Sequence, residues 1–418
     1  MAGAPGAGVV IRPELPLIDP GFGSSVRDPR PGVAGVKPED LAAWFEERGE
    51  PAYRATQVLD ACWRGSARSF EDVRTLPGSL RTALAEAFRW TTIESETFVE
   101  SDGGLTEKAL HALSDGSNVE SVLMHFPGGP GRRERWTLCI SSQAGCAVGC
   151  PFCATGELGF GRDLETAEIV DQVRGAAGRL AGRGGGAHLT NIVFMGMGEP
   201  LLNLNRVLEA IAALNAPRRF GLAARAITVS TSGVVPGIRR LTDLGPQFTL
   251  AISLHAARDA LRDVLVPLNR RWPVAEVVAA ARDHARATGR RVSYELTMIG
   301  GGNDTDADAD ALAELLRGDL AHVNLIPMNP VAHTPWRASP ALVVERFAAR
   351  VRRAGIPVTI RHNRGVDVGA ACGQLAAEHA GQPLAAVVAR RRQRLEEASA
   401  RALRGDRSDE PVPAGVGE

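Results

Sequence analysis

Trp136-Thr-Leu-Cys139-Ile140-Ser-Ser-Gln-Ala-Gly-Cys146-Ala-Val-Gly-Cys150-Pro-Phe-Cys153 is a short apolar run that empties into a loop with three cysteines spaced C-x3-C-x2-C. Three thiolates this close can hold three irons of a four-iron, four-sulfur (4Fe-4S) cluster and leave the fourth iron open to a small molecule. Electron-transfer clusters of the ferredoxin kind take four protein cysteines. A structural zinc site wants four ligands, commonly as two pairs or with histidine. No histidine or further cysteine follows nearby, and Cys139 is the closest other thiol.

The same pattern of strand followed by loop repeats down the chain. Strands are expected at Trp136-Ile140, Asn191-Met195, Ala226-Ser230, Phe248-Ser253, Val292-Met298, His322-Ile326 and Val358-Arg361, with helices between them at 165–180, 204–213, 274–287, 308–317 and 342–353. Such alternation implies a parallel sheet. Six or seven units make this an α/β protein with a partial (β/α)6-type barrel over residues 136–376, whose chemistry should collect at the C-terminal strand ends. The informative residues fall there: the cysteine loop, Gly196-Met-Gly198-Glu199-Pro200, Ser230-Thr-Ser-Gly233, Ser253-Leu254-His255, Asn329 and Arg361-His-Asn-Arg-Gly365. Before the barrel, residues 37–90 read as a small helical accessory domain, with Leu41, Trp44 and Phe45, then Val58, Leu59 and Trp63, then Leu80, Leu84 and Phe88 on apolar faces. Residues 91–135 read as a β-rich connector carrying Glu120. Residues 1–36 are Gly- and Pro-rich and read as a disordered extension, and 377–418 as a helix and disordered tail.

Composition narrows the function. The 418 residues carry 48 basic and 48 acidic side chains, which excludes a uniformly basic nucleic-acid binder. All but two of the cations are arginine, the exceptions being Lys37 and Lys108. A GC-rich genome explains most of that bias. Arginine is still the better bidentate phosphate ligand, and clusters at Arg132-Arg133-Arg135, Arg218-Arg219-Arg225 and Arg390-Arg391-Arg392 are compatible with an RNA surface. No apolar run reaches membrane-spanning length, no signal peptide opens the chain, and six cysteines do not form a disulfide framework, so a reducing, cytoplasmic setting is expected.

An open iron is best filled by a chelating amine and carboxylate, the pair that S-adenosylmethionine carries. Glycines at 196 and 198 let backbone approach such a ligand. Ser230, Ser253 and Asn329 could bond its ribose or carboxylate, although each in isolation would read as a local cap. Cys62 reads as a buried apolar residue. Cys372, in Ala370-Ala-Cys-Gly-Gln374, reads as an accessible thiol and a candidate nucleophile.

Thr137 to Gln143, Cys146 to Cys153, Met195 to Asn203 and Ala370 to Leu375 together closely resemble the radical SAM RNA methyltransferase family RlmN, over residues 38–376. The resemblance implies that Cys146, Cys150 and Cys153 hold the cluster and that Gly198, Glu199, Ser230, Ser253, Leu254, His255 and Asn329 contact S-adenosylmethionine. It implies that Cys372 is methylated by one S-adenosylmethionine, and that a radical from a second activates this methyl for addition to C2 of an adenine. Glu120 matches the family's proton acceptor. Cys139 would release the product and leave a transient disulfide with Cys372. The implied partners are 23S rRNA, tRNAs modified beside the anticodon, and an electron donor such as flavodoxin, with no membrane and a monomeric state. Met328 stands where relatives often carry an aromatic residue. Two rivals are a C8-adenosine methyltransferase of the antibiotic-resistance type, against which Pro200 speaks, and a non-catalytic iron–sulfur RNA-binding protein, which needs none of Glu120, Cys139 and Cys372.

Overall fold

A computed structural model describes residues 27–375 except 65, 66, 332, 333 and 362. The expected C-terminal helix and tail, His362 and most of the expected N-terminal extension lie outside the described residues.

Pro38 at the first helical position and Glu39 and Asp40 in the first turn open α1 (Pro38–Glu46), in keeping with the fixed φ of proline and the helix dipole. Helices α2 (Tyr53–Arg64) and α3 (Gly78–Ala87) follow. Leu41, Phe45, Val58 and Leu84 are fully buried among them. Residues just before α1 are ordered as well. Val33 and Ala34 are completely buried, and Val33 N donates to the Arg89 carbonyl at 2.8 Å, so the end of the expected disordered extension is part of the core.

Ten strands form one sheet. Strands β1 (Ile93–Ser101), β2 (Thr106–Leu113) and β3 (Asn118–Phe126) make an antiparallel meander, and β3 pairs antiparallel with β4 (Arg135–Cys139). The expected connector is therefore continuous with the barrel sheet. After β4 come a small hairpin of β5 (Gln143–Gly145) and β6 (Phe160–Asp163), with α4 (Ala154–Leu158) between them. The chain then alternates: α5 (Thr166–Arg183), β7 (Asn191–Phe194), α6 (Leu204–Asn215), β8 (Ile227–Thr231), α7 (Val235–Leu244) and β9 (Thr249–Ser253). It continues with α8 (Asp259–Leu265), α9 (Val274–Thr288), β10 (Val292–Met298), α10 (Asp306–Leu315), β11 (Ala321–Pro327), α11 (Ala341–Arg353) and β12 (Val358–Ile360). From β4 to β12 all pairings in the main sheet are parallel, in the order β4-β7-β8-β9-β10-β11-β12. These are the seven expected strands, shifted by a residue or two at their ends.

The sheet does not close: among the described residues β1 and β12 are its two free edges. The segment after β12 crosses between them. Asn363 Nδ2 donates to the Pro327 carbonyl (2.9 Å), Arg364 Nη1 to the His125 carbonyl (2.8 Å) and Gly365 N to Asp102 Oδ2 (3.0 Å). Ser101 Oγ bonds Asp367. The chain thus ties both edges of an open barrel together before reaching Cys372.

A charged clasp holds the metal-loop hairpin to the body. Arg162 of β6 grips Glu168 bidentately, at 2.8 Å for each bond, and also bonds Asp115 in the β2–β3 turn. Glu168 is wholly buried and also caps α5 by accepting from Glu165 N at 2.8 Å. Glu168→Ala leaves the Arg162 guanidinium largely buried with one carboxylate instead of two and removes the cap. It should destabilise the protein by about 3 kcal/mol, measured by urea denaturation of the cluster-free protein.

Candidate active site

The C-terminal ends of the parallel strands enclose a cavity of about 170 Å³. One water needs only about 10–15 Å³, so this space suits a ligand. Cys146, Cys150 and Cys153 line one side, and Cys372 lines it too. The cysteine loop is built by its own backbone: Cys146 N donates to the Gly159 carbonyl at 2.7 Å and Cys153 N to the Cys150 carbonyl at 3.1 Å. Gly156 cannot be replaced without moving the loop, since a Cβ there would sit 2.7 Å from the Cys150 carbonyl oxygen.

Burial pushes all three thiols up, Cys146 to about 12, and their mutual repulsion adds to the rise at Cys146 and Cys150. Thiols that resist ionisation together in a closed site are a donor set whose charge a metal would neutralise, with protons released on binding. Among the described residues no three His, Cys, Asp or Glu side chains converge on a single ion position. Three thiols on one cavity wall, each held neutral by burial and ready to be deprotonated on metal binding, are a donor set that fits the cluster.

Opposite the cysteines, Gly198 takes φ +102°, and a Cβ there would meet the Gln143 side chain at 2.6 Å. Only glycine permits this approach. The Glu199 carboxylate is spoken for: it accepts from Ser232 N (2.7 Å), Ser232 Oγ (2.6 Å) and Leu201 N (3.0 Å). It pins the end of β8 to the loop after β7; the Glu199 amide donates to Gln143 Oε1 at 2.8 Å and the Glu199 carbonyl accepts from Leu202 N at 3.0 Å, so the residue fixes the loop from which Gly198 lines the cavity. Ser230 Oγ and Ser253 Oγ lie 3.2 Å apart on the cavity wall. Asn329 donates from Nδ2 to the Cys372 carbonyl at 2.9 Å, while its Oδ1 is buried without a partner. A buried acceptor without a donor costs about 1–3 kcal/mol, which a ligand N–H or O–H would recover.

His255 adopts φ +61°, unusual for a side-chain-bearing residue. Its Nδ1 accepts from Thr297 N at 3.1 Å, so the neutral ring carries its proton on Nε2. The ring packs edge-on against Phe152 at 4.6 Å. Leu254 is fully buried and does not line the cavity. Its carbonyl instead accepts from Arg262 Nε at 2.9 Å. Sequence reading missed Arg262, which looks like an exposed charge on α8. It is completely buried and also donates to the carbonyls of Ser232 and Ser253 and to Asn269 Oδ1. One guanidinium thereby fastens the ends of β8 and β9. Desolvation lowers its pKa to about 10, which leaves it charged.

Cys139 and Glu120 lie beside this cavity and do not line it. Cys139 is buried on β4 opposite Val122, and its thiol is pushed up by burial and then by Cys372 nearby. Glu120 is buried on β3, 3.0 Å from Lys108 Nζ. Ser141 Oγ donates to the Glu120 carbonyl at 2.6 Å and accepts from Met197 N at 2.8 Å, linking β3 to the glycine loop. The rarity of lysine in this chain was the signal for Lys108. The Cys139–Cys372 disulfide that the resemblance implied is not present: all six cysteines are free thiols.

His255 gives this site a pH signature. Burial first, then Arg262, lowers its pKa to about 3, below the unfolded value of about 6.5. Protonation therefore favours the unfolded chain. The contribution is constant above about pH 6.5 and is lost as pH falls from there toward 3, by up to about 1.4 kcal/mol per pH unit. His255→Asn, which tolerates the same backbone, should flatten the fall in stability between pH 6.5 and 5 relative to wild type in paired denaturation curves.

Comparison with known proteins agrees with this geometry. The Radical SAM superfamily matches residues 140–316, and the ribosomal RNA large subunit methyltransferase N-terminal domain matches residues 33–89. A probable dual-specificity RNA methyltransferase RlmN of Parafrankia sp. is 49% identical over 376 residues, covering 87% of this chain and 95% of the relative. One from Mycolicibacterium smegmatis is 48% identical over 81% of this chain and 92% of its own length. The crystal structure of a radical SAM methyltransferase from Sphaerobacter thermophilus superposes with a TM-score of 0.79 at 44% identity, covering 83% of this chain and all of that one. Fold, cavity and relatives agree, and the chain belongs to the RlmN family of radical SAM methyltransferases.

Proposed function

We propose that this protein methylates C2 of an adenosine in 23S rRNA and of the adenosine beside the anticodon in tRNAs, carrying the methyl group on Cys372. The observation that supports it most strongly is the placement of Cys372 on the wall of the cavity that the cysteine triad lines, near enough to Cys139 to help push up the Cys139 thiol. An electron-transfer or sensor protein needs no such thiol pair beside its metal loop.

In this reading Cys146, Cys150 and Cys153 hold a 4Fe-4S cluster. Gly198 through its backbone, Glu199 through the second lone pair of its carbonyl and by fixing that loop, and Ser230, Ser253, His255 and Asn329 hold S-adenosylmethionine, and Leu254 acts through its bond to Arg262. Bound there, cluster and S-adenosylmethionine supply a methyl donor and one-electron chemistry. Adenine C2 is electron-poor and does not attack a methyl donor directly, so the methyl is first placed on Cys372 Sγ and transferred from it as a carbon radical. Glu120 then accepts the C2 proton, held in place by Lys108. Cys139 Sγ displaces the product by bonding Cys372 Sγ, a pairing confined to turnover. The helices of residues 37–90 and the meander of 91–135 cover the barrel. The protein works as a monomer in the cytoplasm with an electron donor such as flavodoxin. Among the described residues no helix is long and apolar enough to cross a membrane.

Protein reconstituted without oxygen, given S-adenosylmethionine, a reductant and protein-free rRNA or tRNA, should yield 2-methyladenosine on digestion and mass spectrometry. An 8-methyladenosine product would overturn the regiochemistry, and no methylated adenosine from either RNA would overturn the function. Cys372→Ala should abolish product, where a sensor would be indifferent. Cys139→Ala should be isolated carrying covalently bound RNA, and a nucleic-acid-free preparation would refute its role in release.

A further inference from the structure

The exposed arginines of the outer helices are mostly neutralised: Arg282 pairs with Asp319, Arg317 with Glu314, Arg350 with Asp306 and Asp310, and Arg206 with Glu209. Others, such as Arg239 and Arg240 of α7, have no ion pair among the described residues, and three cations without one stand close together, although Glu295 lies near enough to Arg361 to be stabilised as an anion by it. Arg135 opens β4, and Arg361 and Arg364 follow β12. The guanidinium carbon of Arg135 stands 4.3 Å from the centre of the Phe126 ring, and that of Arg364 stands 4.5 Å from the same centre. Arg361 is close enough that it and Arg364, after desolvation, lower the pKa of Arg135. Two cations pack on one aromatic ring with a third near them, and of the three Arg361 is partly offset by Glu295.

The sheet register places this trio inside the barrel. Phe126 lies directly opposite Arg135, and Val122 directly opposite Cys139, so all four share one face. That face bears Cys139, which lies near Cys372. Arg135 is four residues before Cys139, about 13 Å along the strand. Arg361 reaches both ends: it favours the Cys372 thiolate and also repels Arg135. Arg135 and Arg361 are exposed and Arg364 is half-buried. The opposite mouth is stoppered by protein, because the Ala154 amide bonds the Gly373 carbonyl (2.7 Å) and Thr155 Oγ1 the Leu375 carbonyl (2.7 Å).

We propose that Arg135 and Arg364, packed on Phe126, with Arg361 beside Arg135, seat backbone phosphates of the substrate RNA at the N-terminal mouth of the barrel, so that the target adenine reaches up the lumen to Cys372. Guanidiniums match phosphate geometry bidentately, and a base acted on by an enzyme must leave its stack to enter such a lumen. Arg132 and Arg133, with which Arg135 shares its sequence cluster, are exposed in the β3–β4 turn and do not touch Phe126. This assignment rests on the RNA methyltransferase reading and adds which residues hold the chain of phosphates.

The test is binding of an unmodified tRNA transcript to the cluster-loaded protein at several salt concentrations. Each lost phosphate contact on single-stranded RNA should reduce the slope of log K against log salt by about 0.7. R135Q/R364Q should therefore lower it by about 1.4, with S-adenosylmethionine-dependent methylation of Cys372, which needs no RNA, retained. R135K/R364K keeps the charges, and its slope should stay near wild type while affinity falls. R317Q, on the outer surface, should change neither. A wild-type slope in R135Q/R364Q with Cys372 methylation intact overturns the seat alone. A wild-type protein that methylates Cys372 but shows no salt-dependent tRNA binding overturns the seat together with tRNA as a substrate. Loss of both binding and Cys372 methylation in R135Q/R364Q, with R135K/R364K also losing its salt slope, would mark the residues as structural and overturn the proposal.

Discussion

The hydrogen bond from the Ala154 amide to the Gly373 carbonyl joins the two segments on which the chemistry depends. One follows β4, at the start of the parallel sheet, and the other lies beyond β12, at its end. They meet only because the sheet curves without closing and the last segment crosses the gap. With Thr155 bonding the Leu375 carbonyl and Asn329 the Cys372 carbonyl, the metal loop and the thiol loop become one wall. A closed barrel would have left no seam for Cys372 to enter. A flat open sheet would have left the cavity wet, and radical chemistry demands exclusion of water and oxygen.

The cavity floor has its own constraint, the burial of charge. Arg262 and Glu199 are each taken out of water and each satisfied mainly by backbone: carbonyls of Ser232, Ser253 and Leu254 for the cation, amides of Ser232 and Leu201 for the anion. Breaking either arrangement would strand a buried charge, a loss of several kcal/mol. Both converge on Ser232, so the strand ends carrying Ser230, Ser253 and His255 are fixed before any ligand arrives. Preorganisation of this kind holds polar groups in place without reordering them at the moment of binding.

The sequence made the parallel core legible because β-branched and apolar runs alternate with long amphipathic helices, and strand ends carry small polar residues. The cysteine loop, the glycine loop and Cys372 were legible for the same reason, since each is a local pattern. Three features were not. The β1–β3 meander reads as a separate connector, because pairing of β3 with β4 depends on long-range register and leaves no local mark. Helix α7 begins Val235-Pro-Gly and so resembles a turn. Arg262 resembles a surface charge because its partners are carbonyls from two distant strands, and carbonyls have no sequence identity. Glu199 was read toward a ligand, and nothing in the sequence signals that its carboxylate bonds the end of β8 while its amide and carbonyl bond Gln143 and Leu202.

A chain with no net charge can bind a polyanion only by segregating its charges. Several outer helices place acid beside base, so much of the charge there is paired locally. Along the Cys139 face Glu120 is matched by Lys108, and Glu295 is hydrogen-bonded by Asn324 Nδ2 at 2.7 Å and attracted by Arg361, while Arg135 and Arg364 have no ion pair among the described residues. Low-dielectric walls around an unbalanced set of charges focus the field inward. On the proposed seat, attraction would be felt mainly by RNA already at the mouth, and phosphate contact there would favour an adenosine able to enter over indiscriminate adhesion to RNA.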